Sequence, residues 1–197
     1  MKINKNSLFY IAIFLVNFFK SLGLGEGNSA YKIVMLVAIL LCGIKFLLDS
    51  LYFERRKLVI IFLLFIATIL NLFFVHKVTF ILTLIFFLAL KDISLKKAFS
   101  IIIGSRILGV LLNQIFVKLD LIEIKYVNFY RDGQFILRSD LGFGHPNFIH
   151  NFFALTIFLY IVLNYKRLKP VVMVLFLTLN YLLYQYTFSR TGYSVSY

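Results

Sequence analysis

The chain has 197 residues, 61% of them hydrophobic and 15% charged, with a mean hydropathy of +0.93. Soluble domains hold about 45–50% apolar and about 25% charged residues, so too little polar surface remains here to cover a water-soluble globule. The same values exclude disorder, collagen, coiled coil and a disulfide-knit module. The formal charge of +13 sits in short clusters between apolar runs, a pattern that fits basic loops of a polytopic membrane protein better than a nucleic-acid-binding face. The single cysteine, Cys42, lies inside an apolar run and allows neither an intramolecular disulfide nor a cysteine-built zinc site. Trp is absent, so an interfacial belt has to use the 12 Tyr.

A helix needs about 20 mostly apolar residues to cross a bilayer. Residues 7–24, 30–48, 58–75, 78–92, 98–117, 148–165 and 170–187 are predicted as spans. The fold class expected is therefore an all-α, polytopic helix bundle with about seven transmembrane helices and no soluble domain. The third and fourth spans are separated only by His76 and Lys77, and the fourth is short, so they read as a tight hairpin or an incomplete crossing. The first span follows Lys2 and Lys5 and lacks a small-residue cleavage site, which makes it an uncleaved helix.

Basic residues cluster before the first span and after every second one. These are Lys2 and Lys5; Arg55, Arg56 and Lys57; Lys91, Lys96 and Lys97; and Lys166, Arg167 and Lys169. The positive-inside bias then predicts a multi-pass protein of the cytoplasmic (inner) membrane with a cytoplasmic N-terminus. Lys45, near the inner end of its span, is expected to snorkel to the interface. Arg106 falls near the middle of the fifth span, where a charge is expensive and should face the bundle or a wet cavity. Gly109 and Asn113 follow at i+3 and i+7, which puts a polar face with room for a close neighbour on the same side.

Residues 118–147 form the one long polar connection, read as an extracytoplasmic loop. Loops of this length in compact folds tend to be functional. It ends in Arg138-Ser-Asp-Leu-Gly-Phe-Gly-His-Pro-Asn147, where Gly142 and Gly144 permit a tight turn and Pro146 suits the first turn of a helix. A helix start there offers N–H groups and a positive dipole end to an anion such as phosphate. Arg131 and Arg138 precede the turn, and guanidinium groups bind phosphate oxygens in pairs; pairing with Asp132 or Asp140 is the plainer alternative. Arg190 follows the seventh span on the same side as the loop. His145 and His150 are poorly spaced to share a helix face, and no P-loop, nucleophile elbow or metal-binding pair is present.

Gly144-His145-Pro146-Asn147 entering a span and Ser189-Arg190-Thr191-Gly192 leaving one resemble segments of Wzy-type polysaccharide polymerases of the O-antigen ligase/polymerase superfamily. Arg131 and Gly142 also resemble the Arg-x10-Gly pattern of that family's outer loops. The resemblance implies a metal-independent, glycosyltransferase-type enzyme without cofactors. Such an enzyme joins undecaprenyl-pyrophosphate-linked oligosaccharide repeat units into capsule or O-antigen on the outer face of the cytoplasmic membrane. His145 and Arg190 would be catalytic, with His150, Asp140 and Glu123 behind His145 as candidate bases. Arg106, Arg131, Arg138 and Asn147 would bind substrate and pyrophosphate. Implied partners are the lipid-linked substrate, membrane lipid, a flippase and a chain-length regulator, and no nucleic acid. Members are longer, so the resemblance also implies an N-terminal portion truncated at its C-terminus, which would leave an incomplete, inactive part. Two other readings stand beside it. Arg106 within a span motivates a transporter or flippase-like protein for a lipid-linked sugar, and a non-enzymatic membrane remnant is the third.

Overall fold

The computed structural model describes residues 4–24, 28–50, 54–75, 79–131 and 133–188. Among them are seven α-helices: α1 (Lys5–Ser21), α2 (Ser29–Ser50), α3 (Arg55–Val75), α4 (Thr79–Leu88), α5 (Leu95–Lys118), α6 (Pro146–Asn164) and α7 (Pro170–Thr187). A short 3₁₀ turn, Tyr165–Arg167, extends α6. Each helix falls on a predicted apolar run. Four of them, in Ser29–Ser50, Leu95–Lys118, Pro146–Arg167 and Pro170–Thr187, are long and apolar enough to cross a membrane. The other three fall short of that standard. α1 has 17 residues, the apolar part of α3 is Leu58–Leu70, and α4 has only 10 residues. At about 1.5 Å per residue, α4 reaches roughly half of the ~30 Å hydrocarbon core.

The expectation of an all-α chain is corrected between α5 and α6. The connection is not structureless: β1 (Tyr126–Arg131) and β2 (Gln134–Ser139) pair antiparallel, with Tyr126 opposite Ser139 and Arg131 opposite Gln134. The reason is legible afterwards. Asp132-Gly133 between two β-branched and aromatic runs is a strong short-range hairpin signal, and Gly133 has φ +81°.

α1 is the hub, packed against both α2 and α5; α2 also meets α4, α4 meets α3, and α6 links α5 to α7. The core around α1 holds Ala12, Ala38, Cys42, Ala89 and Ala98 beside Phe9 and Ile13. Small side chains let helix backbones approach closely, which is how helices associate where hydrocarbon replaces water. At Gly109 the approach is tightest, since an added Cβ would lie 2.7 Å from the Phe18 carbonyl oxygen and 2.8 Å from Ser21 Cβ. The outer surface is apolar instead: Leu36, Leu40 and Leu47 on α2 are 57–63% exposed, a face suited to lipid.

The ends of the bundle differ. Lys5, Lys91, Lys96, Lys97, Lys166 and Arg167 gather at one end, and the hairpin lies at the other. At the basic end Lys45 does not snorkel as expected. Its Nζ is fully buried and donates to Asp49 Oδ2 at 2.6 Å and to the Lys91 carbonyl at 2.8 Å, while Lys5 reaches Asp49 Oδ1 at 2.5 Å. A partner one turn away on the same helix, itself buried, satisfies the ammonium locally, so it need not reach water.

Two outcomes follow. Gly109→Ala is expected to lower stability in detergent by about 1–3 kcal/mol through overpacking, whereas Gly104→Ala on the same helix, with nothing within 4 Å of its added Cβ, is neutral or mildly stabilising. Asp49→Ala leaves the Lys45 charge buried without its partner and is expected to cost about 3–5 kcal/mol. Thermal unfolding of the purified protein measures both, and equal melting temperatures for the two glycine variants would contradict the first.

Candidate functional site

The turn before α6 is built around Asp140. Its carboxylate accepts from the Lys125 amide at 2.9 Å, the Gly142 amide at 2.9 Å and the Gly144 amide at 3.1 Å, and it is 1% exposed. Gly142 and Gly144 sit at φ +81° and +80°, a region that favours glycine, which is why this segment carries two of them. Three backbone donors occupy the Asp140 oxygens, so its chemistry is to hold the turn and not to take a proton from a ligand. Asn113 on α5 donates to the Leu22 carbonyl at 2.9 Å and the Gly142 carbonyl at 3.1 Å, and Gln114 donates to the Leu141 carbonyl at 3.1 Å. These bonds fix the turn to α1 and α5.

Pro146 opens α6, as expected, and His145 is its N-cap. His145 Nδ1 accepts from the Asn147 amide at 3.1 Å, and the Phe148 amide donates to the His145 carbonyl at 3.0 Å. Pro146 has no N–H. The first amides of the helix are thus in use, and the helix start offers an anion its dipole more than free donors. The cap also fixes a tautomer. With Nδ1 accepting, the neutral ring carries its proton on Nε2, on a side chain that is exposed. His145 in this state is a donor to an incoming oxygen.

Arg138 on β2 joins the hairpin to both following helices. Its Nε donates to the Thr187 carbonyl at 2.7 Å, its Nη2 donates to Asn147 Oδ1, and its guanidinium lies 5.6 Å from the Phe129 ring centroid. Arg138 is 8% exposed. The chain of contacts continues inward: Thr187 Oγ1 meets His150 Nδ1 at 3.4 Å, and His150 Nε2 meets Asn180 Oδ1 at 2.5 Å. His150 is fully buried with both ring nitrogens engaged, so it supports the site from behind.

The remaining candidates lie apart. Arg131 shares a strand face with Arg138 but stands at the far end of the hairpin, about 13 Å along the strand. Its side chain, and Ser189 to Gly192 with Arg190, lie outside the described residues. Arg106 lies eight residues before Gln114, about 12 Å deeper along α5. Its Nε donates to Asn17 at 3.0 Å and its Nη1 to Thr156 at 3.2 Å, and its guanidinium carbon sits 4.4 Å from the Phe152 ring centroid. These neutral partners tie α1, α5 and α6 together, which is the economical solution for a cation at that depth.

Arg106 also borders a groove of about 830 Å³ between α5, α6 and α7. Its walls are mainly apolar, with Val110, Phe153, Phe176 and Leu179 among them, and Gln114 and Leu141 mark the end nearest the turn. A groove of this kind takes a hydrocarbon chain and leaves a polar head at the turn. Asn17, Thr156, Asn180 and Thr187 were not among the expected site residues. The available signal was a lone polar side chain inside an apolar run, which in hydrocarbon needs a partner. Among the described residues no group of three or more His, Cys, Asp and Glu side chains gathers to hold a metal ion.

Arg138→Ala is expected to unlatch the hairpin, since hydrogen bonds from a charged donor contribute about 1.5–3 kcal/mol each. Trypsin should then cut after Lys125 at least about tenfold faster in liposomes. An unchanged cleavage rate would show that Arg138 does not hold the hairpin. Comparison with protein-family models, curated protein sequences and solved structures finds no match to this chain.

Proposed function

We propose that the chain belongs to an enzyme that polymerises undecaprenyl-pyrophosphate-linked oligosaccharide units into capsule or O-antigen on the outer face of the cytoplasmic membrane. The observation that carries this reading is a turn that joins Arg138, Asn147 and the exposed His145 to Leu141 and Phe143, two residues that line the apolar groove. An amphiphile with an apolar tail and an anionic head meets both halves of that arrangement: the groove takes the polyprenyl chain, and the turn takes the pyrophosphate. In this reading the chain has about seven membrane segments, with α3 and α4 as a tight hairpin or an incomplete crossing. The N-terminus is cytoplasmic, and the basic end of the bundle follows the positive-inside bias. A flippase would deliver the substrate, and a chain-length regulator would act on the product.

In the transfer, the bond between the growing chain's anomeric carbon and the pyrophosphate breaks, a hydroxyl oxygen of the next unit bonds to that carbon, and the hydroxyl proton passes to the departing pyrophosphate. Negative charge builds on the departing pyrophosphate, so fixed cationic donors in a partly dry site lower the barrier. Arg190, Arg131 and the His145 Nε2–H would supply those donors, while Arg138 and Asn147 hold the turn in register. Of the candidate bases, His150 and Asp140 are buried, whereas His145 and Glu123 are exposed and able to meet substrate.

Deleting the gene that encodes this chain is expected to collapse long surface polysaccharide to single repeat units on a gel. Complementation with Arg190→Ala, at normal protein level, should restore about a hundredfold less polymer than the native gene, the order of effect seen when one charge-stabilising donor is removed. Unchanged long chains in the deletion strain would overturn the proposal.

A further inference from the structure

The two faces of the hairpin differ in chemistry. From the pairing register, Tyr126, Asn128, Tyr130, Phe135, Leu137 and Ser139 share one face, and Val127, Phe129, Arg131, Gln134, Ile136 and Arg138 share the other. Both arginines lie on the second face, which Arg138 ties to α6 and α7. The first face carries no charge. Four of its large side chains stand out from the protein: Tyr126 at 61%, Tyr130 at 62%, Phe135 at 79% and Leu137 at 55%. Tyr130 and Phe135, opposite each other, make an edge-on ring pair with centroids 5.0 Å apart.

The element before the hairpin also presents apolar surface. Leu111 and Ile115 on α5 and Leu119 at its C-cap are exposed apolar side chains at i, i+4 spacing, on a helix long and apolar enough to cross a membrane. Leu119 is 62% exposed and Leu121 70% exposed, five residues before Tyr126. The hairpin is held at that level of the bundle at both ends. The Asp140 amide donates to the Lys125 carbonyl, and Asp140 binds the turn that α5 grips through Asn113 and Gln114. The base of the hairpin, at Tyr126 and Ser139, therefore lies where α5 leaves the hydrocarbon, and Tyr130 and Phe135 stand about 13 Å further along the strands.

The geometry points to a lipid-facing role for this face: the uncharged aromatic side of the hairpin rests in the headgroup region of the bilayer. Tyr and Phe with an apolar body sit favourably at that depth, and in a chain without Trp they form the belt that fixes the bundle's height. A large uncharged patch left in water would favour association between molecules, and burial at the interface removes that surface from water. The inference does not rest on the proposed enzymatic activity.

The absence of Trp makes the test direct. Phe135→Trp introduces a single indole at a side chain 79% exposed, where an aromatic ring beside Tyr130 is kept. Gln134→Trp places the same probe on the opposite face. In liposomes containing lipids brominated close to the headgroup, Phe135→Trp is expected to emit at shorter wavelength and to lose fluorescence, while Gln134→Trp loses more to aqueous iodide. Phe135→Trp with the emission of a water-exposed indole, quenched by iodide and not by brominated lipid, would overturn the inference. So would protection of Phe135→Trp only on adding oligosaccharide, or only at protein concentrations where the chain self-associates.

Discussion

In hydrocarbon there is no water to receive a polar group, so each one inside the bundle has to find its partner on the protein. That constraint organises this chain. Lys45 and Asp49 pair at the basic end, with Lys5 from α1 completing the contact. Arg106 reaches Asn17 on α1 and Thr156 on α6. Asn113 joins α5 to the ends of α1 and the turn, and His150 meets Asn180 across α6 and α7. Apart from Lys45 with Asp49 inside α2, these contacts link segments that the apolar surfaces alone would not place in register. Apolar contact with a neighbouring helix and with lipid differ little in free energy, whereas a hydrogen bond across helices specifies one partner.

The same rule shapes the candidate site. Asp140, Asn113 and Gln114 form the frame of the turn, bonded to its backbone and, through Gln114 Nε2 to Asn113 Oδ1, to each other. Arg138 then bridges three elements, and His145 is left exposed with one ring nitrogen capping α6. Groups that looked alike as candidates therefore fall into different roles. Asp140 and His150 are buried and engaged, so they hold geometry. His145 stands at the surface, where a ligand can reach it. Arg106 lies deeper, beside an apolar groove, and its neutral partners mark it as a tie between helices that also borders that groove.

Much of the architecture was legible from residue patterns. The seven apolar runs coincide with the helices because length and continuity of apolar side chains are sufficient signals in a membrane setting. Pro146 in the first helical turn and the close neighbour at Gly109 were readable because each rests on local backbone chemistry. The hairpin is also locally encoded, in Asp132-Gly133 between two strand-like runs, although a polar segment between spans reads first as loop. Lys45 departs from the snorkelling expectation because snorkelling concerns one side chain, and the buried pair with Asp49 depends on what packs over both.

The amino-acid sequence by itself determined where the helices form, which end of the bundle is basic and where the chain turns sharply into α6, since periodicity, charge clustering and glycine or proline conformation act within a few residues. Only the tertiary structure decided which polar groups are partners. Arg138 lies 49 residues from Thr187, Arg106 lies 89 from Asn17, and His150 lies 30 from Asn180. Contacts at such separations arise from helix packing around α1, and no local pattern carries them.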